Sequence, residues 1–211
     1  MKKIMINKYR YLQCLRTIAF VMVLILVAGT MFSGCAKKIP QAVVPEYEKR
    51  NIRLVAVLPV SDKAGNPEVS ALLRQKMVEA LYFKSYPKIQ TKVIDEKLAA
   101  FFKSAKGSTP DTLPPRDVGA VLGVDAVLYV TLRDCKTSFL YLYAPTSVMA
   151  SFEMYHAKTG ELLWKTSYTE SQKNFDITPD RVKMKSCQVF EHVLQDIVNK
   201  AMDTLPEGAG A

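Results

Sequence analysis

The stretch Val124-Asp125-Ala126-Val127-Leu128-Tyr129-Val130-Thr131-Leu132 decides the fold. β-Branched and aromatic residues dominate it, and apolar side chains fall on both alternating faces through its middle. A strand of that kind needs cover on both sides. It therefore reads as the central strand of a sheet held between helices. Just upstream, Arg116 to Leu122 reads as a short helix, with Gly123 suited to its left-handed end.

Further upstream, Arg53-Leu54-Val55-Ala56-Val57-Leu58-Pro59-Val60 is a second near-continuous apolar run, again a buried strand. Ser61 to Asn66 is a polar turn, and Asn66-Pro67-Glu68 starts a helix: a capping side chain, proline at the first helical position, an acid in the first turn. Val69, Leu72, Leu73, Met77, Ala80 and Leu81 follow at helical spacing. Lys88 to Ile94 is expected as a short strand, and Asp95 as the cap of a helix through Leu98, Ala99, Phe101 and Phe102. Lys106 to Pro115 is a polar, proline-rich loop.

Downstream the pattern changes. Phe139 to Tyr143 and Ser147 to Tyr155 are β-rich, and Lys158-Thr159-Gly160 is a short turn from which Glu161 to Tyr168 returns as a strand. Thr178-Pro179 opens a last helix with Val189, Phe190, Val193, Leu194, Ile197, Val198 and Ala201 on one stripe. Parallel crossovers come first and antiparallel pairing later. The expected fold is a three-layer α/β domain, a mixed sheet with helices on both faces.

The start of the chain reads differently. Lys2, Lys3, Lys8, Arg10 and Arg16 precede the apolar run Thr17 to Ala28, with no acid among them. The run falls short of the ~20 residues that span a bilayer, so it reads as an export signal. It ends at Phe32-Ser33-Gly34-Cys35, which resembles the bacterial lipobox, where a peptidase cuts before a cysteine that carries lipid. The expected organisation is a signal over 1–34, a lipidated Cys35 and tether over 35–50, one domain over 51–205 and a tail over 206–211. Ala36, rather than aspartate, after Cys35 favours retention at the outer membrane, facing the periplasm.

The charge of +9 is misleading, since five basic residues leave with the signal and the remaining 177 residues hold 24 basic against 20 acidic. That balance removes most of the support for nucleic acid as a partner. Lys37, Lys38, Lys49, Arg50 and Arg53 could sit against anionic head groups or simply be solvated. Cys14 goes with the signal. Cys135 and Cys187 then face an oxidising compartment, where a disulfide between them and two buried free thiols are both open readings.

Three segments carry a family resemblance: Val55-Ala56-Val57-Leu58-Pro59, then Gly123 to Tyr129, then Thr159-Gly160-Glu161-Leu162-Leu163-Trp164, in that order behind a lipobox. Together they resemble an uncharacterised family of bacterial lipoproteins, similar in fold to the amino-terminal domain of TolB and to the periplasmic core of CsgG-type secretion lipoproteins. The resemblance covers Ile52 to Leu205. It implies an envelope role, often in assembly or export machinery, and supplies no catalytic residue.

The residues themselves give no catalytic constellation. HExxH, CxxC, GxSxG and a phosphate-binding glycine loop are all missing, and His156 and His192 have no second ligand at metal spacing. No metal or other cofactor is expected. Asp62 and Asp95 sit at expected strand ends, where turn and cap duty explains them. The expectation is an interaction or assembly factor, held to the membrane by its lipid and meeting envelope proteins, with a glycan- or peptidoglycan-binding module as the alternative. Phe139, Tyr141 and Tyr143 would share one face of a strand and form the contact surface, whereas Trp164 reads as core. A self-made pore would need alternating polarity that Lys136 to Met154 lacks.

Overall fold

The computed structural model describes residues 42–104, 114–140 and 142–209, the side chains at 104, 179 and 182–189 excepted. Cys35 and Tyr141 lie outside the described residues, as does the side chain of Cys187. Six strands are present: β1 (Ala42–Val43), β2 (Val55–Val57), β3 (Ser61–Asp62), β4 (Ala126–Thr137), β5 (Tyr143–His156) and β6 (Leu162–Phe175). Four helices accompany them: α1 (Pro67–Phe83), α2 (Thr91–Ser104), α3 (Pro115–Leu122) and α4 (Pro179–Thr204). The sheet order is β1-β6-β5-β4-β2, with β3 also on β4. β2 and β3 run parallel to β4, and every other pairing is antiparallel. This is the expected mixed α/β sheet, with β4 inside it.

Strand alternation sorts the two faces. Val55 and Val57 of β2 and Leu128, Val130 and Leu132 of β4 face α1 and α4, where Leu73, Met77, Leu194 and Ile197 complete the larger core. Ala56, Leu58 and Val127 point the other way, onto Ile94 and Leu98 of α2 and Val118 and Leu122 of α3. Helices thus lie on both faces. Trp164 is core as expected: it packs near Phe152, ring centroids 6.2 Å apart, and its indole N–H donates to Thr204 Oγ1 at 3.1 Å.

Local signals explain the helix ends. Asn66 Oδ1 accepts from the Val69 amide at 3.2 Å, with Pro67 at the first helical position of α1. Gly123 closes α3 at φ 71°, a conformation that costs a side-chain-free residue nothing. Gly119 has a different reason. A Cβ there would lie 2.4 Å from Ala157 Cβ, so glycine lets α3 reach the β5–β6 turn.

Two expected strands are absent. Lys88 to Ile94 holds no strand, because helix α2 starts at Thr91. Ile94 and Leu98, four residues apart, bury one helical stripe, and that gain outweighs a short β-rich run. Asp95 is therefore inside the helix, where both its oxygens accept from Arg74, at 2.7 and 2.8 Å. The described residues from Phe139 to Leu142 form no strand either, and β5 begins only at Tyr143. Leu140 and Tyr143 exchange backbone hydrogen bonds of 2.7 and 2.9 Å, and this bridge closes the β4–β5 hairpin.

The described residues on either side of the domain, 42–50 and 206–209, pack against it. Within 35–50, β1 pairs with β6, and Tyr47 is buried, its hydroxyl 2.8 Å from that of Tyr86. Within 206–211, the Pro206 carbonyl accepts from Tyr86 and the Gly208 amide donates to the Lys84 carbonyl at 2.9 Å. Tyrosine hydroxyls and backbone groups need such partners once buried.

Candidate functional site

Among the described residues, helices cover only half of the second face of the sheet. α2 and α3 lie over β2 and the start of β4. Beyond Val127 the same face carries Tyr129 and Thr131 on β4 and Ser151, Glu153 and Tyr155 on β5, with Lys165 on β6. Among the described residues Tyr129, Thr131, Glu153 and Tyr155 line an open groove of about 380 Å³, with Pro59, Lys63 and Pro115 on its rim.

The groove's polar groups are pinned. Tyr129 and Tyr155 meet edge to face, ring centroids 5.6 Å apart. The Tyr155 hydroxyl donates to Glu153 at 2.8 Å, and Lys165 Nζ lies 2.7 Å from the same carboxylate. Arg133 Nε donates to Ser151 Oγ at 3.0 Å. Burial would raise the Glu153 carboxyl, yet the hydrogen bonds from Lys165 and Tyr155 and the charges of Lys165 and Arg133 outweigh it. The group sits below the usual carboxylate range. Burial, with the neighbouring groups, pushes both phenols up to about 12. At neutral pH the site is an anion held by a cation, beside two neutral phenols. Those groups can stack, donate and accept.

The sequence did not single out this groove. Its signal was the alternation on β4, where Tyr129 and Thr131 interleave with Leu128, Val130 and Leu132. Polar-tipped residues at every second position mark a face that helices do not close.

The expected surface lies elsewhere. Phe139 is 53% exposed, in the β4–β5 hairpin end, and Tyr143 is half-buried with its ring on Phe175, centroids 4.6 Å apart. Leu140, Leu142, Phe175 and Ile177 are exposed around them. The two-faced strand expected over Phe139 to Tyr143 is thus replaced by one apolar end, and the leucines expected on the opposite face join it. Tyr82 and Phe83, exposed at the end of α1, form a second aromatic spot that the sequence pattern did not mark.

The remaining candidates have structural duties. Asp62 Oδ1 accepts from the amides of Ala64 and Gly65, an Asx turn. His156 Nδ1 accepts from the amides of Lys158 and Thr159 and so orders the β5–β6 turn. His192 is exposed on α4. Cys135 carries a free thiol, pushed up to about 11 mainly by burial, with Asn66 Nδ2 at 3.9 Å. No cluster of metal-ligating side chains occurs among the described residues, and none of their helices is long and apolar enough to cross a membrane.

A family model described as "Putative lipoprotein GNA1162-like" matches residues 46–211. The chain belongs to that family. Lipoprotein GNA1162 from Neisseria meningitidis is similar in structure, with TM-score 0.51 and 20% identity over 67% of this chain and 97% of that one. A PelC dodecamer from Paraburkholderia phytofirmans is similar with TM-score 0.52 and 12% identity, over 80% of this chain and 98% of that one. At these identities the likeness establishes the fold alone. No curated protein matches the chain.

Proposed function

We propose that this lipoprotein-family member is anchored through a lipid on Cys35 at the outer membrane, faces the periplasm, and serves as an interaction or assembly factor among envelope proteins. The observation that carries this reading is the open groove of Tyr129, Thr131, Glu153 and Tyr155. Its groups are built to hold a ligand surface: aromatic edges, fixed donors and acceptors, and a compensated ion pair. The lipobox at Phe32 to Cys35 supports the anchor, and Ala36 supports the outer-membrane destination. The apolar end around Phe139 and Tyr143 remains a second contact surface, with Tyr141 expected beside them. A glycan-binding role for the groove is the second reading, favoured by its two tyrosines beside a carboxylate and a lysine.

Crosslinking in the native envelope tests the first reading. The wild-type chain should yield discrete adducts with envelope proteins, and Thr131→Arg, which fills the groove, should reduce them several-fold. Adducts that survive Thr131→Arg unchanged would contradict the groove as the contact. Retention on purified cell wall, lost in Thr131→Arg, would establish the glycan reading instead.

A further inference from the structure

We propose that the apolar end of the sheet, formed by Phe139, Leu140, Leu142, Phe175 and Ile177, rests in the interface of the bilayer that holds the anchor. This deepens the second contact surface named above and rests on the lipidation of Cys35.

Three observations carry it. First, these residues concentrate exposure that folding normally avoids: Ile177 is 82% exposed, Phe175 64% and Leu140 63%. They come from both sides of one end of the ribbon, the β4–β5 turn and the strand end of β6, so they point to one surface. The Asp176 amide donates to the Leu142 carbonyl at 3.2 Å, tying the two segments together.

Second, the chain approaches from that end. β1 is antiparallel to β6, with Ala42 opposite Lys165 and Val43 opposite Trp164. The backbone therefore enters β1 from the side where β6 ends at Phe175. Seven residue steps separate Cys35 from Ala42, a reach of at most ~25 Å. The ten steps from Lys165 to Phe175 cover ~33 Å of strand. An anchor at Cys35 can thus come within about 10 Å of the level of the apolar end without the chain doubling back. Tyr82 and Phe83, in the last turn of α1, belong to a different element and are not part of this surface.

Third, the charge is balanced. At the base of the β4–β5 hairpin Lys136 Nζ lies 3.0 Å from Asp134 Oδ2, and Lys173 on β6 is matched by Asp176 three residues on. Such a rim gives no electrostatic pull toward anionic lipid, and leaves apolar side chains and the Tyr143 ring as the binding groups. The groove, nearer the opposite end of β4 and β5, would then face the periplasm.

The test uses the full chain, purified and reconstituted in phosphatidylcholine vesicles through its own lipid. The sequence holds one tryptophan, Trp164, which is fully buried and supplies a constant background. Phe139→Trp and, as an independent reporter, Ile177→Trp place a fluorophore at the end. Lipids brominated in the acyl chain should quench the added emission at least twofold, aqueous iodide should not, and phosphatidylglycerol should change neither result. Quenching by iodide in place of bromolipid would overturn the proposal. So would shielding from both, which means that protein covers the end, and so would a requirement for anionic lipid. The mass of the purified chain reads the lipid on Cys35 separately. Bromolipid quenching in an unlipidated chain would overturn the anchor and leave the apolar end assigned.

Discussion

The two ends of the β4–β5–β6 ribbon are made from the same three strands and have opposite fates. At the inner end Leu128, Met154 and Trp164 are completely buried, under helices that continue the core. At the outer end, past the irregularity between Leu132 and Asp134, β2 and β3 no longer accompany β4, and Phe139, Leu140 and Phe175 reach water. Composition does not separate them, since both ends are rich in leucine and aromatics. Cover does. An apolar residue stabilises this fold only where a helix or a neighbouring strand can meet it, and at the hairpin tip and the end of β6, where neither does, the same residue type is left in water.

That contrast can be broken by mutation. The largest expected effect is at the inner end. Phe152→Ala should cost about 3–5 kcal/mol by urea unfolding, because it empties a fully buried position beside Trp164. A loss below about 1 kcal/mol would mean that the inner end is not the stabilising half. Gly119→Ala should cost about 1–3 kcal/mol, since its methyl would press α3 away from Ala157. Tyr47→Phe should cost about 1 kcal/mol by orphaning one side of the buried Tyr47–Tyr86 hydrogen bond, and it tests whether the segment before β2 belongs to the cooperative unit. The smallest effect is at the outer end, where Leu140→Ser and Ile177→Ser should each stay within about 0.5 kcal/mol.

The pH dependence sharpens the same comparison at the groove. Tyr129 and Tyr155 have folded values near 12 against an ordinary 10. A raised folded value means stability fully present below pH 10, lost as pH climbs from 10 to 12, because the unfolded chain releases those protons first. Tyr155→Phe should flatten that alkaline loss in a pH series of unfolding midpoints. The Cys135 thiol, near 11 against 9, should label slowly at neutral pH and keep accelerating up to about pH 11, where an ordinary thiol levels off near 9. Labelling that appears only after reduction would instead establish the bond to Cys187.

The legible parts of the sequence were those where one local signal had no competitor. Asn66-Pro67 with a helical stripe after it marked α1, the two-faced apolar run marked β4, and the turn at Lys158 to Gly160 marked the β5–β6 hairpin. The strand expected at Lys88 to Ile94 lost to a packing stripe whose second member, Leu98, lay beyond the window. The turn at Leu140 to Tyr143 was hidden for a different reason: it carries no glycine, asparagine or aspartate, and its apolar side chains imitate a strand. That disguise also hid the place of Leu140, since strand alternation would have set it on the face opposite Phe139 and the turn leaves it in water beside Phe139. The groove stayed out of sight because Tyr129, Glu153 and Tyr155 come together only once β4 and β5 are in register, with Tyr129 opposite Glu153.

The two surfaces are proposed to have different partners: protein at the groove, lipid at the apolar end. Site-specific photocrosslinking in the native envelope reads both at once, from one photoreactive residue at Tyr155 and, in a separate strain, one at Phe139. Position 155 should give protein adducts and position 139 lipid adducts. Protein adducts from position 139, with none from position 155, would contradict that assignment.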